Sequence, residues 1–139
     1  MNPKDVVGAT KIDLSLLPPA GILHGAHSLV DGASKYGPYN WRHFDVQAMT
    51  YISAAQRHLA AYLDGEDYAP DSGCHHLGHV IGCCAILLDA METGHLIDNR
   101  PPPGAAAKLA ERLNALIKSR GQSYADPTKA VRARANNQS

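Results

Sequence analysis

Apolar positions recur along this chain with the period of an α-helix in four stretches. From about Ala20 to Ser34, Ile22, Ala26, Leu29 and Ala33 share one face, while His24, His27 and Asp31 fall on the polar side. Gly37-Pro38 ends that stretch and opens a loop from Tyr36 to Phe44. Asp45 is placed to cap a second helix, about Val46 to Leu63, with Ala48, Ile52, Ala55, Leu59 and Tyr62 or Leu63 facing inward. Gly65, Pro70, Ser72 and Gly73 make the next turn. A third helix follows from about His75 to Thr93, and Gly94 stops it. Its interior, VIGCCAILLDA, is apolar nearly all round, which predicts the central helix. Asp98 to Gly104 contains three prolines and forms a rigid connector. It leads to a fourth helix, about Ala105 to Ser119, with Leu109, Leu113, Leu116 and Ile117 buried and Gly121 at its end.

The flanks carry less pattern. Residues 1 to 17 are mixed and predicted extended, as far as Pro18-Pro19. The final stretch, QSYADPTKAVRARANNQS, is polar and aperiodic. No segment shows the alternation of a strand. The expectation is an all-α fold, a small bundle of about four helices over residues 1–121, with a flexible polar tail at 122–139.

Composition narrows the function classes. A chain of 139 residues suits one domain with a modest core. Thirteen basic and thirteen acidic residues balance, so nothing in the charge calls for a nucleic-acid or membrane-surface partner. No apolar run approaches the roughly 18 residues of a membrane span, and the N-terminus lacks a secretory pattern. Three cysteines, two of them adjacent (Cys83, Cys84), argue for reduced thiols and a cytoplasmic location over a disulfide framework.

Chemistry concentrates in the run Asp64 to His79, DGEDYAPDSGCHHLGH. Glu66, Asp67 and Asp71 precede His76 and His79, which are three apart and project from one helix face. Carboxylates with imidazoles suit Mg²⁺ or Mn²⁺, the nitrogen ligands favouring Mn²⁺. The plain alternative is that Asp71 or Ser72 caps the third helix and the histidines are solvated at its end. Structural zinc through Cys74, His76, His79 and Cys83 lacks the usual paired spacing. A second concentration is the loop Lys35-Tyr36-Gly37-Pro38-Tyr39-Asn40-Trp41-Arg42. Lys35 and Arg42 are candidates for holding phosphates, and Tyr36, Asn40 and Trp41 for the base and sugar. Aromatic residues around Gly-Pro also serve as packing. Arg57 and His58 interrupt an Ala-rich surface and join the phosphate-binding candidates.

The blocks GASKYGPYNWR, AAQRHLAAYLDGED, DSGCHHLGH and CCAILLDA, in this order, resemble the phage dATP/dGTP diphosphohydrolase family, the MazZ-like proteins. The resemblance covers roughly Lys11 to Pro103. It implies kinship with the all-α MazG-type nucleoside triphosphate pyrophosphohydrolases and assembly as a homo-oligomer, dimer or tetramer. It also implies conversion of dGTP or dATP to the monophosphate plus pyrophosphate, with one or more divalent ions. In a phage, such an enzyme supplies dGMP for 2-aminoadenine deoxynucleotides. The chain departs from the MazG-type pattern: it has three glutamates (Glu66, Glu92, Glu111) and no Glu-x-x-Glu. His76-x-x-His79 stands where the third helix of that type would offer Glu-x-x-Asp. Ser34 and Ala69 stand where many relatives carry glutamate and aspartate.

Hydrolysis at the α-phosphorus requires neutralising a triphosphate and deprotonating water, which divalent ions assist. Glu66, Asp67, Asp71, His76 and His79 are the expected metal and base set, with Glu66 and Asp67 as the catalytic pair. Two rivals remain. One is a non-catalytic nucleotide- or metal-binding regulatory module. The other is an HD-type triphosphohydrolase, which requires a His-Asp dipeptide absent from this sequence.

Overall fold

The chain begins with a short helix, α1 (Pro3–Gly8), in a computed structural model that describes residues 1–129. Asn2 accepts a hydrogen bond from the Lys4 amide at 3.0 Å, and Pro3 is pre-set for the first helical position. A 3-10 turn follows at Leu14–Leu16, capped by Asp13. The stretch predicted to be extended is therefore partly helical, because each turn has its own capping side chain.

Three long helices follow: α2 (Pro19–Tyr36), α3 (Ala48–Leu63) and α4 (His76–Glu92). α4 packs against both α2 and α3 and is central, as its apolar sequence predicts. The α2–α4 contact is made by small residues. A Cβ on Gly25 would meet Ile81 Cγ2 at 2.6 Å, and one on Gly78 would meet the His24 carbonyl oxygen at 2.5 Å. Gly82 lies equally close against Ser28. The buried positions of α2 are accordingly Gly25 and Ser28. The predicted apolar stripe is turned elsewhere: Ile22 and Ala26 are exposed, and only Leu29 and Ala33 are partly covered. Close backbone approach needs small side chains, so the small stripe takes the interface.

Between α2 and α3 lies the loop that begins at Gly37, whose φ of +85° an L side chain would resist. Val46–Gln47 then forms strand β1, which pairs in parallel with β2 (Leu96–Ile97). This two-residue pair was not expected from alternation, and it shortens the second helix at its start. Asp45 does not cap that helix. Its carboxylate lies 3.3 Å from His95 Nδ1, and the Asn99 side chain instead accepts from the Met49 amide at 2.9 Å. At α4 the cap is His75, whose Nδ1 accepts from the Leu77 amide at 3.0 Å, in place of the Asp71 or Ser72 alternative. Trp41, Val46, Ile86 and Ala90 form the core cluster, with Leu29, Tyr51, Leu87 and Leu96 packed on it.

The chain divides into two compact units, residues 1–100 and 101–139. Only α5 (Ala106–Ser119) is a long helix of the second among the described residues. Its Leu109, Leu113, Leu116 and Ile117, predicted to be buried, stay 42–48% exposed. The first unit thus contains three of the four expected long helices. Of the expected tail at 122–139, residues 130–139 lie outside the described residues. No helix among the described residues is long and apolar enough to cross a membrane.

Candidate active site

The run Asp64 to His79 folds back on itself. The Ala69 amide donates to the Cys74 carbonyl at 2.8 Å, Tyr68 bridges His75 in antiparallel fashion, and the His76 amide donates to the Asp67 carbonyl at 2.9 Å. Gly73, at φ +72°, permits the reversal. This pairing brings Glu66 across to the first turn of α4. Glu66 Oε1 lies 2.6 Å from His76 Nε2, and His76 Nδ1 lies 2.8 Å from His58 Nδ1 on α3. The His58 ring stacks on His79 at 4.3 Å between centroids, 14° between planes. His79 Nε2 is 2.7 Å from Ser72 Oγ, which also accepts from the Cys74 amide at 3.2 Å. Carboxylate, three imidazoles and a hydroxyl therefore form one contiguous polar cluster.

Beside this cluster a cavity of about 700 Å³ opens between α2, α3 and α4. Lys35 and Arg57 supply positive charge to its wall, and Asp31 and Asp71 negative charge. His58 and His79 face it with Tyr36, Asn40 and Tyr51. A smaller recess of about 140 Å³ continues inward past Asn40 and Tyr51 to Leu29, Trp41 and Ile86. The larger cavity, at about 700 Å³, falls within the range of small-molecule sites, roughly 300–1,000 Å³. Its mixture of a charged mouth and an apolar, aromatic floor suits a ligand with anionic and aromatic ends.

The electrostatics follow from burial and neighbours. Burial pushes the His58 pKa down, and His79 and His76 add to that shift. Burial likewise lowers the His79 pKa, opposed by the carboxylates of Asp31 and Asp71. Both imidazoles are thus favoured as neutral groups. Lys35 Nζ lies 3.0 Å from Asp31 Oδ2, a contact that raises the lysine pKa and keeps it charged. Arg57 Nη1 donates to Ser53 Oγ at 2.8 Å, one turn earlier on α3.

Seven of the residues singled out from the sequence line this cavity: Lys35, Tyr36, Asn40, Arg57, His58, Asp71 and His79. Asn40 also stabilises its loop, donating from Nδ2 to the Gly37 carbonyl at 3.1 Å. Arg42 is placed elsewhere. Its guanidinium makes two hydrogen bonds to Asp89 of α4, at 2.8 and 2.9 Å, and lies 4.6 Å from the Tyr39 ring centre. Trp41 is buried, donates from Nε1 to Asp89 at 2.6 Å and borders the smaller recess, not the larger cavity. This clamp holds Tyr39 at φ +55°, an uncommon conformation for a bulky residue. Arg42 and Trp41 thus anchor the loop.

The five expected metal ligands are likewise divided. Asp71 and His79 lie on the cavity wall, Glu66 and His76 bind one another, and exposed Asp67 is absent from the wall. Among the described residues no three His, Cys, Asp or Glu side chains converge as a metal cage. Asp31, Asp71 and His79 share the cavity wall without converging as such a group. Asp31, not among the residues singled out for chemistry from the sequence, also lies on this wall, paired with Lys35. Its signal was the i,i+4 spacing to Lys35 on a polar face that runs straight into the loop motif.

No curated protein and no solved structure matches the chain. A family model described as dATP/dGTP diphosphohydrolase, N-terminal, matches residues 1–100, the same span as the first compact unit and the one that holds the cavity. The chain belongs to the dATP/dGTP diphosphohydrolase family, N-terminal domain.

Proposed function

We propose that the cleft between α2, α3 and α4 binds dGTP or dATP and hydrolyses it to the monophosphate and pyrophosphate. The observation that carries this is the nucleotide-sized cavity with paired cations and paired carboxylates, lying within the residues the family model matches. Lys35 and Arg57 take the phosphate charge, Arg57 through a fork that can grip two oxygens. Asn40, Tyr36 and the recess bounded by Trp41 receive the sugar and base. Asp31, Asp71 and His79 would hold Mg²⁺ or Mn²⁺ brought by the triphosphate. Such an ion neutralises phosphate charge and makes water more acidic. The all-α arrangement is in keeping with kinship to MazG-type enzymes. A phage origin, with dGMP supply in the host cytoplasm, follows from the sequence resemblance.

The protein works as a homo-oligomer, a dimer or tetramer. Support comes from apolar surface left uncovered on one chain: Leu23 and Val30 of α2 are 68% and 65% exposed, and Leu14, Leu16 and Leu17 lie bare just before it. The absence of a preformed three-donor cage among the described residues favours one rival, a binding module without turnover. Phosphorus NMR of dGTP and dATP incubated with protein and Mg²⁺ or Mn²⁺ separates the two. Monophosphate and pyrophosphate appearing together support hydrolysis. A nucleotide that raises the melting temperature yet stays intact supports the module.

A further inference from the structure

The hydrogen-bond chain behind the cavity constrains where its protons sit. An ionised carboxylate only accepts hydrogen bonds, so Glu66 Oε1, 2.6 Å from His76 Nε2, requires a proton on that nitrogen. At a pH well above the ordinary imidazole range, where His76 carries a single proton, its Nδ1 is then a lone pair. The partner 2.8 Å away, His58 Nδ1, must be the donor. A neutral His58 so protonated carries its remaining lone pair on Nε2. That atom has no hydrogen-bond partner among the described residues and is not buried, and its ring lines the cavity. His76 is only 4% exposed and held on both nitrogens, so it cannot turn to relieve the constraint.

We propose that Glu66 and His76 are positioning residues that hold His58 in its Nδ1–H form, presenting the Nε2 lone pair to the cavity. An imidazole free in water favours the opposite, Nε2–H form, so the relay selects the form that the ring alone would disfavour. In the cleft as a nucleotide hydrolase site, on which this role rests, Nε2 is a hydrogen-bond acceptor for the attacking water. His79, stacked flat on the same ring, fixes the plane in which that acceptor points. Glu66 thereby acts at one remove, through two imidazoles, and touches no substrate. The same logic governs metal-bound and catalytic histidines, whose outer carboxylate sets tautomer and orientation.

Long-range proton–nitrogen correlation spectra of the ¹⁵N-labelled full chain read the tautomer directly, at about pH 8 where ordinary imidazoles are neutral. The expected result is His58 as Nδ1–H in the wild type, with Glu66→Ala shifting it towards Nε2–H. Glu66→Gln, whose amide oxygen still accepts from His76, keeps the Nδ1–H form. In parallel, Glu66→Ala lowers kcat by about 10- to 100-fold, the usual effect of losing an outer-shell orienting group, with the smaller change in KM. A wild-type His58 in the Nε2–H form, or a tautomer unaffected by Glu66→Ala, would overturn the proposal. Failure of the wild type to hydrolyse nucleotide would sink the hydrolase assignment instead, and the spectra would still decide the relay.

Discussion

Asp89 accepts three hydrogen bonds from the loop, one from Trp41 and two from Arg42, and these hold its carboxyl pKa down at about 2. Relative to the ordinary 3.8, a depressed folded value means stability that is full above about pH 4 and lost as pH falls towards 2. Urea unfolding followed by the fluorescence of Trp41, the single tryptophan, should show Asp89→Asn less stable than wild type near neutrality. The gap should narrow from pH 4 downwards, and a constant gap would contradict the assignment. Arg57 lies on the cavity wall, where the proposed triphosphate would meet it, and a charged hydrogen bond contributes about 1.5–3 kcal/mol. Arg57→Ala should therefore raise KM for the triphosphate by about tenfold or more in steady-state kinetics, leaving the melting temperature near wild type. Arg57 and His58 stood out in the sequence by interrupting an Ala-rich surface and Lys35 by opening the loop motif, and the structure places all three on the cavity wall. The roles of Trp41 and Arg42 were not legible there, since an aromatic and a cation beside Gly-Pro look alike whether they bind a ligand or anchor a loop. The deciding partner, Asp89, lies on another helix nearly fifty residues away.

At the scale of elements, helix positions and the central place of α4 followed from periodicity, but the interface of α2 did not. Periodicity finds the most apolar stripe, whereas backbones in close contact select the smallest one. Gly78 tests this: its Cβ would strike a backbone carbonyl of α2, which cannot swing aside as a side chain could. Gly78→Ala should lose about 1–3 kcal/mol in urea denaturation, as overpacking does, despite the helix preference of alanine. A more stable variant would show that α2 and α4 are less tightly apposed. The β1–β2 pair was invisible for another reason. Two residues carry no alternation, and their partners are fifty positions apart. The turn between α3 and α4 was recognised for its ligand chemistry, yet its pairing sends Glu66 to His76 and leaves Asp71 for the cavity. Spacing along a chain cannot tell which side of a reversal each side chain takes.

The first compact unit, as a single copy, leaves a broad apolar surface uncovered on α2 and the segment before it. Burying a side chain such as Leu or Val stabilises by about 1.5–3 kcal/mol, so a few of them suffice to favour self-association. Light scattering after size exclusion should give a dimer or tetramer, and Val30→Asp together with Leu23→Asp should shift it towards monomer. Monomeric wild type at micromolar concentration would refute that expectation. We propose attack at the α-phosphorus of a nucleotide bound in the charged cavity of this dATP/dGTP diphosphohydrolase-family chain. Hydrolysis of dGTP and dATP in ¹⁸O-enriched water, with Mg²⁺ or Mn²⁺ and mass analysis of both products, tests this most directly. The expected result is one ¹⁸O in the monophosphate and none in the pyrophosphate. Label in the pyrophosphate, release of inorganic phosphate or triphosphate, or no consumption of nucleotide would contradict it.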